Sequence, residues 1–369
     1  MTPLRRTLLK GASALGVSSL TPMATWAQTP APERVFQPQA GRWRTFDVTT
    51  RVDITGASGA TQVWLPLPSV ETPWQRGLGH QFSGNGSHQL VSDGQQGVRM
   101  LHSRFGANTT QPSVSLTSRV SVQDRTPRDR ASSDDQDPAT LRHYTRPTRM
   151  LPTDGIVKAT ALKATQGASN DADKVRAIYD WVVANAWREP KVRGCGEGDI
   201  KTMLETGNLG GKCADINALF VGLCRSVGVP ARDVYGLRLA PSAFGYKELS
   251  GNSSGLQGAQ HCRAEVFVKG QGWLAMDPAD VAKVMRLETP QWLKSTDHVV
   301  VKPVYQGLFG GWEGNWMAWN TAHDLVLPGS QHGELNFFMY PVAENALERW
   351  DSYAPNDFKY HISAVEIRA

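Results

Sequence analysis

Gly210 to Arg232 reads GGKCADINALFVGLCRSVGVPAR. Its apolar residues Ile216, Leu219, Phe220, Leu223 and Val227 recur at helical spacing, which predicts a helix of about four turns with one buried stripe. Gly210 and Gly211 stand at its start. At its end Gly228 can take the left-handed conformation that closes a helix, and Pro230 cannot extend one. Cys213 falls in the first turn, on the buried face. Unpaired backbone N–H groups and the positive end of the helix dipole converge there, favouring a thiolate over a thiol and offering donors to an oxyanion. A nucleophile is expected at that position.

A thiol needs a base, and the base an orienting group. The stretch QHCRAEVFVKGQGWLAMDPAD follows at 260–280. His261 to Val268 alternates as a strand does, Lys269 to Gly272 reads as a turn, and Trp273 to Asp277 runs back, so a hairpin is expected. With an odd number of residues in the loop, His261 and Asp277 project from one face near its open end. Taken singly, a buried Cys is more often a small core residue, a His at a strand end a satisfied polar group, and an Asp before Pro a turn former. The three together, in this order, point to chemistry.

Cys in GKCAD at a helix start, His opening a strand and Asp in GWLAMDP closing the next resemble the transglutaminase-like superfamily of papain-type thiol enzymes. The resemblance runs from about Asp171 to Asp280, taking in ADKVRAIYDWVVANAW and GVPAR. It implies an α+β catalytic core of helices packed on an antiparallel sheet, and a Cys213-His261-Asp277 triad. One departure is that Cys262 stands where an aromatic usually follows the histidine, with Arg263 and Glu265 continuing that strand.

Upstream, residues 1–27 read as a signal peptide, with RRTLLKG resembling a twin-arginine export signal and an ordinary secretory signal as the other reading. The apolar run is too short for a membrane span, so a soluble exported protein, periplasmic in a Gram-negative host, is expected. Loss of Arg5, Arg6 and Lys10 takes the net charge from +5 to +2. No nucleic-acid surface is indicated.

Residues 42–125 read as a β domain of sandwich type. Phe46, Val48, Thr50, Val52 and Ile54 alternate with polar residues, and further strands are expected at 62–67, 98–102 and 114–122. His80, His88 and His102 lie in separate segments without ligand spacing, so neither a metal nor a cofactor is expected. A polar linker, 126–153, leads to the catalytic domain at 154–285. There Asn170 and Asp173 look like a helix cap and its partner, followed by a Val175, Ile178, Val182 and Ala186 stripe that should face the Cys213 helix.

Four cysteines remain to be placed. Cys213 and Cys224 lie about three turns, or roughly 16 Å, apart on one helix and cannot join. Cys262 points away from His261 on its strand, and Cys195 sits in the Gly-rich loop KVRGCGEGD. In an oxidising compartment a Cys195–Cys262 disulfide is the preferred pairing, with a zinc site using His261 as the alternative. Cys224 is expected to stay a core thiol.

A Trp-rich extension, 286–369, is expected to pack on the catalytic domain. Trp312, Trp316 and Trp319 read either as an aromatic cap or, with Asn320 and His323, as the wall of a substrate groove. The expected partner is a peptide or protein substrate, with cell-envelope peptides suggested by the compartment, cleaved through an acyl-enzyme. Transfer to an amine and a catalytically silent peptide-binding module are the other readings.

Overall fold

The computed structural model describes residues 34–126 and 136–367, so the expected signal peptide lies outside the described residues. In chain order the first part holds strands β1 (Arg44–Asp53), β2 (Thr61–Pro66), β3 (Gln75–Gly84), β4 (Ser87–Ser92), β5 (Arg99–Phe105) and β6 (Ser113–Val122). Helices α1 (Pro138–His143), α2 (Gly155–Ala164) and α3 (Asp171–Asn185) follow. Strand β7 (Trp187–Arg188), helix α4 (Ile200–Thr206) and strand β8 (Gly210–Gly211) then lead into α5 (Cys213–Ser226). After α5 come β9 (Ala231–Arg238), β10 (Gln260–Val268), β11 (Gly272–Met276) and α6 (Pro278–Leu287). The last elements are α7 (Lys302–Gly307), β12 (Phe309–Gly310), β13 (Trp316–Asn320), β14 (Val342–Glu344) and β15 (Tyr360–Ile367).

The β domain is built as alternation demands. Phe46, Val48, Thr50 and Val52 of β1 are buried, and their neighbours are not. Two four-stranded sheets, ordered β15-β1-β6-β3 and β14-β2-β5-β4, send Phe46, Val48 and Leu116 from one and Val63, Leu65 and Leu101 from the other into a common core. The sequence reading omits β3 and β4. Both are mostly exposed, and β3 carries three glycines within QRGLGHQFSG, so neither shows the apolar alternation that marks a half-buried strand. His80, His88 and His102 each bind a separate partner, Ser118, Ser103 and Gln62.

The other half is α+β. A five-stranded sheet runs β12-β11-β10-β9-β13, and the buried helix α5 packs on β9 and β10. Asn170 caps α3 by accepting the Asp173 N–H at 3.0 Å. That helix lies against α5, with the Tyr179 and Phe220 rings 6.2 Å apart. Gly228 closes α5 with φ +83°.

The stretch 286–369 is shared between both halves. Strand β13 completes the catalytic sheet beside β9, β14 joins β2, and β15 joins β1. Gln75 of β3 accepts the Ala318 N–H at 2.7 Å and donates to its carbonyl at 2.9 Å, tying the catalytic sheet to the sandwich. The terminal alternation at 358–367 marks a strand, but nothing local names a partner three hundred residues away.

Candidate active site

The β10–β11 hairpin pairs Val268 with Gly272, leaving a loop of three residues, 269–271. That odd count sets His261 and Asp277 on one face, and His261 Nε2 meets Asp277 Oδ2 at 2.7 Å. Because Nε2 faces the carboxylate, Nδ1 is the ring nitrogen left for the thiol. Asp277 also caps α6, accepting the Asp280 N–H at 3.0 Å. Asn217, one turn beyond Cys213, donates to the Cys262 carbonyl at 2.8 Å and to Asp277 Oδ1 at 3.3 Å. One helix therefore carries the thiol and braces the carboxylate.

Beneath this pair lies an ion network absent from the sequence reading. Arg238 donates to both oxygens of Asp280 at 2.5 and 2.6 Å, and Asp280 lies 3.3 Å from His261 Nε2. The Arg263 guanidinium is 3.4 Å from Asp277 and sits over the Trp312 and Trp316 rings at 5.1 and 4.7 Å. His261, Asp277 and Asp280 are close enough together to hold a cation. However, Arg238 and Arg263 already balance the two carboxylates, so the cluster is an ion-pair network in its own right. Its charges also set the protonation of His261. Burial alone would lower the imidazole pKa, but Asp280 and Asp277 outweigh it and raise it to about 9.

Cys213 is buried, with 3% exposure. Its pKa lies well below the ordinary thiol value: the adjoining Cys195 and Cys262 thiols and His261 favour the thiolate, together overcoming burial. All four cysteines are free. The expected Cys195–Cys262 disulfide is absent: both thiols are free, and the Cys195 S–H donates to the Gln260 carbonyl at 3.3 Å. Nor does strand alternation keep Cys262 from the site, since Cys213 contacts the side chains of both His261 and Cys262. Cys224 is fully buried, and burial drives its thiol pKa upward.

Asp215 locks the Cys195 loop onto the first turn of α5. Its carboxylate accepts the N–H groups of Glu197, Gly198 and Lys212, each at 2.9 Å, while Ala214 N–H donates to the Cys195 carbonyl. Gly196 has φ +92°, and a Cβ there would lie 1.9 Å from Asp215 Oδ2. Gly196→Ala is therefore expected to cost about 2 kcal/mol, seen as a lower urea midpoint, and to slow thiol labelling of Cys213 in the folded protein.

Trp312, Trp316, Trp319 and His323 do not form a groove. All four are buried, and none lines the cavity at Cys213. Trp316 instead supports the histidine strand from behind, its indole donating to the His261 carbonyl at 2.8 Å. Asn320 donates to the Phe338 carbonyl, and His323 sits 3.1 Å from Asp233. Gly314, between Trp312 and Trp316, lies where an added Cβ would come within 2.6 Å of the Gln123 backbone. A groove of about 450 Å³ beyond Cys195 is bordered by other aromatic residues, Phe337, Trp350 and Tyr353. The cavity that reaches Cys213 and His261 is about 300 Å³, and Arg188, Arg238, Gln260, Lys283 and the 250–259 loop complete it. Nothing in the sequence reading pointed to Arg188.

The sequence model of the transglutaminase-like superfamily matches residues 158–278. An uncharacterized protein of Haemophilus influenzae is 34% identical over 339 residues, covering 85% of this chain and 89% of that protein. The uncharacterized protein YebA of Bacillus subtilis is 30% identical over 131 residues, 33% of this chain and 17% of its own. In fold the chain is similar to a solved structure named "Putative Cysteine Protease from Cytophaga hutchinsonii", with TM-score 0.54 and 16% identity over 89% of this chain and 92% of that one. The helix-borne cysteine facing a hairpin histidine, and the matches across this same stretch, lead to one conclusion: the chain belongs to the transglutaminase-like superfamily.

Proposed function

We propose that this protein is an exported thiol enzyme that hydrolyses a peptide or peptide-like amide through Cys213, His261 and Asp277. The single observation that carries the proposal is a depressed-pKa thiol and an imidazole lining one cavity, with a buried carboxylate bonded to the imidazole behind it. The Cys213 thiolate attacks the scissile carbonyl, and its sulfur forms the acyl bond as the oxyanion turns to the Cys213 N–H at the helix start. His261 gives its proton to the departing amine. It then takes one from the water that cleaves the thioester, while Asp277 holds the ring's orientation and supports the imidazolium. Water is favoured over an amine as acceptor because the cavity is small. Export rests on the twin-arginine-like leader, and peptides of the cell envelope are the substrates to screen first. Among the described residues no helix is long and apolar enough to cross a membrane.

The test is the rate of iodoacetamide labelling of Cys213 against pH. The thiolate exists above the lowered cysteine pKa and the imidazolium persists below about 9, so the ion pair fills the window between. Labelling should begin well below the ordinary thiol value of about 8.5, and hydrolysis should decline near pH 9 as His261 loses the proton it must donate. In His261→Ala the labelling limb should move toward the ordinary value. A limb near 8.5 in both proteins would instead make the chain a silent peptide clamp. Adding a primary amine to a turnover assay separates hydrolysis from transamidation by the product formed.

A further inference from the structure

We propose that the cavity at Cys213 contains a carboxylate subsite anchored by Arg188, so that the acyl donor is an acidic peptide or amino-acid amide. This rests on Cys213 being the nucleophile and adds what the substrate carries. Arg188 ends β7, whose backbone pairs with β8 so that Arg188 lies opposite Gly211, two residues before Cys213. That short parallel ladder fixes the arginine beside the nucleophile.

The chemistry of the wall is one-sided. Arg188 Nε is enclosed yet has no hydrogen-bond partner, and its guanidinium has no ion-pair partner among the described residues. Gln260 Nε2, on the same wall, is likewise buried and unpaired. Leaving a buried donor unmade costs about 1–3 kcal/mol, and more for a charged one, so a site holding two is built for an acceptor. The other cations are already matched, Arg238 by Asp280 and Lys283 by the Glu248 carbonyl at 2.6 Å and carboxylate at 3.5 Å. No Asp or Glu lines the cavity. The wall therefore presents one uncompensated positive charge and donors without acceptors.

A planar carboxylate fits that surplus, because one edge of a guanidinium gives it two parallel N–H bonds. A phosphate monoester would bring close to two negative charges, against one unmatched cation. A cavity of about 300 Å³ is at the small end of ligand pockets and suits one acidic residue rather than an extended peptide. The preferred donor therefore carries an aspartyl, glutamyl or terminal carboxylate close to the scissile carbonyl.

Iodoacetate and iodoacetamide test this without knowledge of the substrate. Both alkylate a thiolate with loss of iodide, and they differ in carboxylate against carboxamide at nearly equal size. The ratio of their rates at Cys213 cancels any change in thiolate population. In the folded protein at pH 6 that ratio should exceed the ratio for free N-acetylcysteine at least tenfold. It should fall at least tenfold in Arg188→Gln and recover in part in Arg188→Lys. N-acetylglutamate should protect Cys213 from iodoacetamide better than N-acetylglutamine amide does. A variant that has unfolded shows itself by labelling at Cys195, Cys224 and Cys262. Rapid, selective labelling of Cys213 with the same ratio in wild type and Arg188→Gln overturns the carboxylate subsite and leaves the nucleophile standing. Absence of selective labelling by either reagent overturns the nucleophile as well.

Discussion

Cys213→Ala is expected to abolish turnover, a loss on the order of 10⁶-fold in kcat if the three groups act as one unit, with a stability change of only about 1 kcal/mol. The asymmetry follows from where the sulfur sits. Attack on the carbonyl has no substitute once the thiol is gone, because Cys195 and Cys262 are buried, and burial keeps their pKa values raised without Cys213. The fold loses one small buried atom, while His261 keeps Asp277 and Asp280 and α5 keeps its Asp215 cap. Cys224→Ala provides the contrast. It opens a small void in the middle of α5 at a cost of about 1–2 kcal/mol and should leave turnover intact. Parallel turnover and urea-melt measurements read both effects. Equal activity of Cys213→Ala and wild type would falsify the mechanism.

Asp277→Ala should damage activity and stability together. The carboxylate is fully buried between His261, Arg263, Asn217 and the first turn of α6. Its removal strands the Arg263 cation in the interior, and breaking a buried pair from one side costs about 3–5 kcal/mol, to which the lost helix cap adds about 1 kcal/mol. Asp277→Asn separates the two roles. An amide caps a helix nearly as well and fills the same space, so the roughly 1 kcal/mol of the cap returns, while the loss from the stranded Arg263 stays. The amide's neutral oxygen supports an imidazolium less well than a carboxylate does, so kcat should fall, by up to about 10⁴-fold. Denaturant midpoints and turnover for the two variants therefore diverge. If Asp277→Asn kept near-normal turnover, His261 would be oriented by Asp280 instead.

The parts of this site that could be read in the sequence are those encoded locally. A helix start, the parity of a three-residue turn and the order of Cys213, His261 and Asp277 each depend on residues close in the chain, and the structure brings all three side chains together as that order suggested. The missed parts are tertiary. Arg238 meets Asp280 across 42 positions, and Arg263 stacks on tryptophans about fifty positions away. In the sequence these looked like an ordinary charged strand and an aromatic extension. Trp316 was noticed for its chemistry but is used for its bulk: Gly236, on the neighbouring strand, leaves room for its indole, which an added Cβ would approach to 2.3 Å. Arg188 gave no signal, because a single basic residue after a helix is unremarkable until the wall around it is known to lack an acceptor.

The pairing of β15 with β1 also bears on the order in which the molecule can be assembled. Thr49 lies opposite Ser363, 314 positions later, so the first strand to leave the ribosome waits for nearly the last before its sheet is complete. Until then β1 presents an unpaired edge, the kind of surface on which nascent chains associate. Pairings so far apart in sequence also fold slowly. The candidate active site, by contrast, draws Cys213, His261 and Asp277 from one stretch of 65 residues and can gather before the sandwich closes. Synthesis thus presents the reactive thiol early and the protective sheet late, which places a premium on chaperone cover during the interval.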